Sequence, residues 1–317
     1  MLADRFLTLR RTQRAFVALA CAALLCGGAR AAGLTVLVAD ESAAHADFVR
    51  QLRDAQDADS RFDLIHLVAG ENSPDEHMAG PAPAGVTMAV GLSAARSAIK
   101  RPGQDPLVLA MLSRLDYESL KGTAALRRPE RQIGVLLREP AMADQLALID
   151  ALLPAKRRLG VVATAESEPI VSELLRAGQG WDLQVEYAPD AKSLAAVLRL
   201  LVSHSDALLV LPDKIGDSQA ATLAVLRAGA SAGLPVFGTS DGLVRSGGLA
   251  AAVSTPGQLA RQANALGRKL AASGTATGVR VEVATPATVR VNATVARGLG
   301  LRLPDEGELS ARVSALR

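Results

Sequence analysis

Gly238-Thr239-Ser240-Asp241-Gly242 reads literally as the G-x-S-x-G pattern in which a serine, here Ser240, is a nucleophile on a tight strand-to-helix turn. That chemistry also needs a base, and in hydrolases of this kind the histidine follows the serine. No histidine follows His204, and Leu243-Val244-Arg245-Ser246-Gly247-Gly248 does not read as a helix start. The four histidines are His45, His66, His77 and His204. His77 lies beside Asp75 and Glu76, and His66 and Glu71 are the further groups that would complete a zinc- or nickel-type ligand set. There is no His-x-x-x-His pair and no histidine-rich tract, so a solvated acidic loop is the simpler reading and no metal is expected. Glu166 and Asp213 are candidates for a paired-carboxylate glycosidase only if space brings them together. No Gly-x-Gly-x-x-Gly follows a strand and no Gly-Lys-Ser/Thr phosphate loop occurs, so no nucleotide and no cofactor is expected.

A more regular pattern is the placing of hydroxyls and acids just after short apolar runs. They are Asp40-Glu41-Ser42, Gly91-Leu92-Ser93, Ser113-Arg114, Thr164-Ala165-Glu166-Ser167, Pro212-Asp213-Lys214 and Thr239-Ser240-Asp241. The runs before them, at 34–39, 62–68, 86–90, 107–112, 133–137, 159–162, 183–187, 207–211 and 236–238, have the length and composition of buried strands. Between them lie helical stripes: Leu146, Ile149, Leu152 and Leu153; Ile170, Val171, Leu174 and Leu175; Leu194, Val197, Leu198 and Leu201. Alternating strands and helices imply parallel sheets covered by helices. About five strands up to 137 and four or five after it suit two sheets better than one very wide one. In such sheets ligands sit beyond the carboxyl ends of the strands, where helix N-termini offer free N–H groups. The candidate ligand-binding residues are therefore Asp40, Ser42, Gly91, Ser93, Ser113, Thr164, Glu166, Ser167, Asp213, Ser240 and Asp241, with Tyr117 as the aromatic placed to stack on a ligand. Helix caps and turns favour the same Ser, Thr and Asp, and this is the competing explanation for each residue. Phe48 and Trp181 read as core.

The 317 residues are 49% apolar, 21% charged and 3% aromatic, enough for a packed core and too few rings for a nucleic-acid stacking platform. The formal charge of +3 is misleading. Residues 1–31 hold five of the 35 basic side chains (Arg5, Arg10, Arg11, Arg14, Arg30) and one of the 32 acids (Asp4), so the remainder has 30 basic and 31 acidic residues. No nucleic-acid partner is expected of so balanced a body. Arg10, Arg11 and Arg14, the apolar run 15–25 and then Ala29-Arg30-Ala31 have the form of a cleavable secretory signal peptide, residues 1–31. The run is short for a membrane anchor. Thr12-Gln13-Arg14 fits a twin-arginine signal poorly, and Leu25 before Cys26 fits a lipoprotein signal poorly. Both cysteines, Cys21 and Cys26, fall in the signal, so a mature chain has no disulfide and no thiolate. The expectation is a soluble periplasmic product.

From about Gln145 onward several stretches, in order, resemble the substrate-binding proteins of ABC transporters, in the group related to tryptophan- and tyrosine-binding members. They are Ala147-Leu148-Ile149-Asp150-Ala151-Leu152-Leu153-Pro154 with Arg158-Leu159-Gly160-Val161-Val162; Ser205-Asp206-Ala207-Leu208-Leu209-Val210-Leu211-Pro212-Asp213; Gly233-Leu234-Pro235-Val236-Phe237-Gly238-Thr239-Ser240-Asp241 followed by Gly247-Gly248-Leu249-Ala250-Ala251; and Val291-Asn292-Ala293-Thr294-Val295-Ala296-Arg297-Gly298-Leu299-Gly300. The first half departs from the pattern: Met111-Leu112-Ser113-Arg114-Leu115 lacks the Thr-Asp-Pro-like turn usual there.

The resemblance implies an α/β fold of two doubly wound parallel-sheet lobes joined by three crossovers, like a type I periplasmic binding protein. One lobe would be 32–137 plus 240–285, the other 138–239 plus 286–317. It further implies a non-enzymatic monomer that closes on a small polar molecule, such as an amino acid or related zwitterion, and delivers it to an ABC permease and ATPase in the inner membrane. A ligand carboxylate would sit near Ser93 or Ser167 and an ammonium near Asp213 or Asp241. Three other roles compete: an exported solute sensor docking on a receptor, a periplasmic enzyme, and a metal binder using His77.

Overall fold

A computed structural model describes residues 33–40, 42–56, 61–67, 85–127, 129–274, 277–285 and 288–315. The expected signal 1–31 with both cysteines, Glu41, and the group Glu71, Asp75, Glu76 and His77 lie outside the described residues. No helix among the described residues is long and apolar enough to cross a membrane.

The first sheet has strands β1 (Gly33–Val38), β2 (Phe62–His66), β3 (Gly85–Val90), β4 (Leu107–Leu112), β5 (Gln132–Pro140) and β11 (Gly278–Ala284), in the order β11-β5-β4-β3-β1-β2. Every pairing in it is parallel. The second has β6 (Arg158–Ala163), β7 (Asp182–Tyr187), β8 (Ala207–Val210), β9 (Val236–Gly238), β10 (Ala250–Val253) and β12 (Thr288–Val291), in the order β12-β10-β9-β8-β6-β7. It is parallel except for the edge pair β10–β12. The first five strands of each lobe therefore run in the same order, with the order of strand addition reversing between β1 and β3 and between β6 and β8. Strands such as Leu107–Leu112 are buried at every position because helices cover both faces of the sheet.

The helices of the first lobe are α1 (Ala43–Asp54), α2 (Gly91–Lys100), α3 (Arg114–Lys121) and α4 (Ala124–Arg127). Those of the second are α5 (Met142–Leu152), α6 (Glu168–Ala177), α7 (Ala191–His204), α8 (Lys214–Asp217), α9 (Gln219–Ala232) and α10 (Asp241–Arg245). The chain then returns to the first lobe with α11 (Pro256–Ala272), and ends on the second with α12 (Ala293–Gly298) and α13 (Glu306–Ala315). Gly134 in β5 makes the return possible. A Cβ there would stand 2.9 Å from Leu266 and Leu270 of α11, so the bare glycine lets that helix lie close on the sheet.

The chain crosses between lobes after β5, after β10 and between β11 and β12. The expected assignment of 240–285 to the first lobe is corrected in part. Residues 250–253 pair with β9 and β12, so 240–253 lie with the second lobe and the second crossing falls at Ser254 and Thr255. Ala250-Ala251-Ala252 has little intrinsic strand preference, and only burial makes it a strand. The turn after Gly238 is also corrected: Asp241–Arg245 does form a short helix, with Ser240 as its cap. Phe48 is fully buried, and Trp181 packs partly buried on the second core with the Arg157 guanidinium 5.0 Å from its ring centre.

Candidate functional site

The carboxyl ends of both sheets face one cleft of about 700 Å³. Its floor includes the first two crossings, at Pro140 and at Val253 to Pro256. The second and third crossings are stitched together: Ser254 Oγ donates to the Thr285 carbonyl at 2.7 Å, and Gln262 holds the Thr285 N–H at 3.0 Å and the Val283 carbonyl at 2.8 Å.

On the first lobe the lip of the cleft is the β1–α1 turn. Ser42 caps α1, its Oγ accepting the His45 N–H at 3.2 Å. The His45 ring turns back so that Nδ1 bonds the Asp40 carboxylate. This placement depends on Gly91, which has φ +82°. A Cβ at Gly91 would come within 2.6 Å of the His45 ring, so no other residue leaves that ring its room.

Beneath the lip, β5 runs three residues past its expected end and delivers Arg138, Glu139 and Pro140 to the cleft. Glu139 accepts the Arg138 Nε–H at 2.7 Å and the Arg114 backbone N–H at 3.1 Å. Burial pushes the Glu139 carboxyl above its ordinary range despite these partners. Burial also opposes the Arg138 charge, but Glu139 outweighs it and holds the guanidinium above its usual value.

The second lobe contributes the ends of β8, β9 and β10. Asp217, at the end of α8, lines the cleft, and among the described residues its carboxylate makes no hydrogen bond and no ion pair. Thr239, Ser240 and Asp241 follow β9. Asp241 is paired with Arg245 and stands 3.7 Å from Arg290, which also reaches Glu306 at 3.5 Å.

Of the residues expected at the site, Asp40, Ser42, Ser240 and Asp241 line this cleft. Gly91 touches it through His45 only. The other seven are placed elsewhere, and all but Ser93 have structural work. Ser113 is buried and caps α3 in a reciprocal box with Asp116. Ser93 is an exposed residue in the first turn of α2, and Tyr117 packs on the first-lobe core. Glu166 is an exposed partner of Lys214 at 2.6 Å. Thr164, Ser167 and Asp213 form one relay, half-buried at Thr164 and buried at the other two: the Thr164 and Ser167 hydroxyls meet at 2.9 Å, and Ser167 donates to Asp213. Asp213 has no exposed surface and spends its other oxygen on the Ile215 and Gly216 N–H groups, capping α8. Burial raises its carboxyl above the ordinary range. Caps and ligand sites draw on the same residue types, which is why composition at strand ends does not separate them.

Sequence reading missed His45 as a cleft residue, and missed Arg138, Glu139, Asp217, Ser254, Thr255 and Arg290. Two signals for some of these were present. Arg-Glu-Pro directly ends an apolar run, and Thr255-Pro256 with Gln258 is a capping box with proline at the first helical position.

Two parallel-sheet lobes, three crossings and a cleft at the strand ends define a type I periplasmic-binding fold. Within that class, the chain belongs to the ABC transporter substrate binding protein family, whose model matches residues 84–313. Comparison with the curated proteins finds no match. Among solved structures, it is similar to a ligand-free, open substrate-binding protein with adhesive properties from Clostridium difficile (17% identity, 86% of this chain and 96% of that one, TM-score 0.66). It is similar also to an ABC domain from Streptococcus pneumonia in complex with L-Trp (17% identity, 86% and 96%, TM-score 0.53). A conserved domain protein from Vibrio cholerae matches at 19% identity over 89% and 98%, with TM-score 0.55.

Proposed function

We propose that the protein is exported by its N-terminal segment, works in the periplasm as a monomer, and captures a small polar solute between its lobes for an ABC importer. The observation that carries this reading is the cleft itself. It is lined from both lobes, floored by crossing segments, and furnished with hydroxyls and charges instead of a reacting constellation. Ser240 serves as a helix cap, its Oγ accepting the Leu243 N–H at 3.2 Å, and no histidine follows His204 to act as its base. Closing about the crossings would bring the Asp40–His45 lip toward Asp217 and Ser240, so a solute touching both favours the closed state by its added contacts. The closed form is what a permease and its ATPase would recognise.

Native mass spectrometry of freshly purified protein tests this reading. The expected result is a mass excess of a few hundred daltons or less, released on denaturation as one small molecule. A bare mass, together with no stabilisation by any compound in a broad thermal-shift library, contradicts it.

A further inference from the structure

The charges of the cleft do not cancel. Its lining holds four carboxylates, Asp40, Glu139, Asp217 and Asp241, against two guanidinium groups, Arg138 and Arg290. Each guanidinium already has an acid: Arg138 is held by Glu139 at 2.7 Å, and Arg290 stands between Asp241 and Glu306. Arg245, just outside, is matched by Asp241. Asp40 is bonded by a ring nitrogen of His45. Asp217, an exposed residue, makes no side-chain hydrogen bond or close ion pair among the described residues, though its charge also acts on Arg138. Aromatic side chains are missing too. Neither Tyr117, Phe48 nor Trp181 reaches the lining, and His45 is its one ring.

We infer that the solute of this cleft is a small aliphatic cation, an amine or amino compound of net positive charge, whose ammonium group is taken by Asp217. The inference rests on the solute-binding reading above and names its ligand class. An anionic solute would have to take Arg138 or Arg290 from carboxylates already beside them, and would meet Asp217, which has no close partner among the described residues. A cation meets an acid with free lone pairs and offsets the surplus charge of the site as the lobes close over it. An aromatic side chain would find only the His45 ring, already held by Asp40, to stack against.

The test is isothermal titration of the purified full-length mature protein with putrescine, L-lysine, L-tryptophan, glucose and succinate, repeated on Asp217→Asn. The expected result is binding of putrescine or L-lysine at least tenfold tighter than the other three, weakened at least tenfold by Asp217→Asn and weakened by added salt. Among the described residues the exposed Asp217 side chain makes no hydrogen bond or close ion pair, so the variant is expected to melt within a few degrees of the parent. An Asn variant that binds the cation unchanged overturns the inference, as does succinate, glucose or L-tryptophan binding tightest. Silence of both cations also overturns it. In that case, recovery of a neutral or anionic solute by native mass spectrometry leaves the solute-binding reading standing, and a bare protein removes both.

Discussion

Asp213 shows how one residue type at one place in the chain can do two different jobs. It follows a strand on the cleft side of the sheet, as a ligand-binding acid would, yet it has no exposed surface and its oxygens are spent on Ser167 and on the first N–H groups of α8. Asp213→Ala is expected to cost about 1–3 kcal/mol of unfolding free energy, the price of a lost cap and an unpaired buried hydroxyl, read from urea unfolding. Unchanged stability with lost solute binding would contradict the placement. Gly91→Ala forces a Cβ into the His45 ring at a positive φ, so it is expected to destabilise by about 1–2 kcal/mol and to alter solute affinity together. Asp206 is a third residue whose role is structural. Arg158 donates to it from the backbone at 3.1 Å and from Nη2 at 3.0 Å, and this side-chain bond holds its carboxyl well below the ordinary range. A folded-state value below the unfolded one stabilises fully above the ordinary aspartate range and is lost as pH falls through the folded value. Asp206→Asn is therefore expected to lower stability by about 1 kcal/mol at neutral pH, with the gap to the parent closing as pH drops below about 4 in a melting series. An equal gap at every pH would rule this out.

The elements differ in how much of them the chain discloses. β4 and β8 are legible because Leu107–Leu112 and Ala207–Val210 are continuous apolar runs between turns. The carboxyl ends of such strands were enough to locate Asp40, Ser42, Ser240 and Asp241 on the right side of the sheets. β10, β11 and β12 were not legible as strands. Ala250–Val253 is strand only by burial, and Gly278–Ala284 alternates charge with valine at a sheet edge. Asp217 could not be found from sequence, because α8 is too short to show a period. What no local pattern foretells is a contact between lobes, and one such contact is specific. Arg114 of α3 reaches Glu173 of α6 at 2.5 Å, and Glu173 also accepts the Met142 N–H at 3.0 Å at the first crossing. Both side chains are largely sheltered, at 23% and 18% exposure, so the pair is worth more than a surface bridge. A double-mutant cycle with Arg114→Ala and Glu173→Ala is expected to give a coupling of at least about 0.5 kcal/mol, whereas simple additivity would show that the bridge does not tie the lobes.

For the molecule as a whole, the strand order repeats: β2-β1-β3-β4-β5 in one half and β7-β6-β8-β9-β10 in the other, each completed by a strand or helix from later in the chain. This pairing was foreseeable from the alternation of strands and helices and from the motif order in the second half. The exact position of the second crossing was not, because it turns on an alanine-rich strand. The repeat sets two switch points face to face, and the crossings beneath them permit rotation without unfolding either sheet. The most direct test is a crystal structure of the protein bound to the solute it carries from its own cell. The account predicts that solute between the lobes, touching the Asp40–His45 lip on one side and Asp217 or Ser240 on the other. A solute seated on one lobe alone, or outside the cleft, would contradict it.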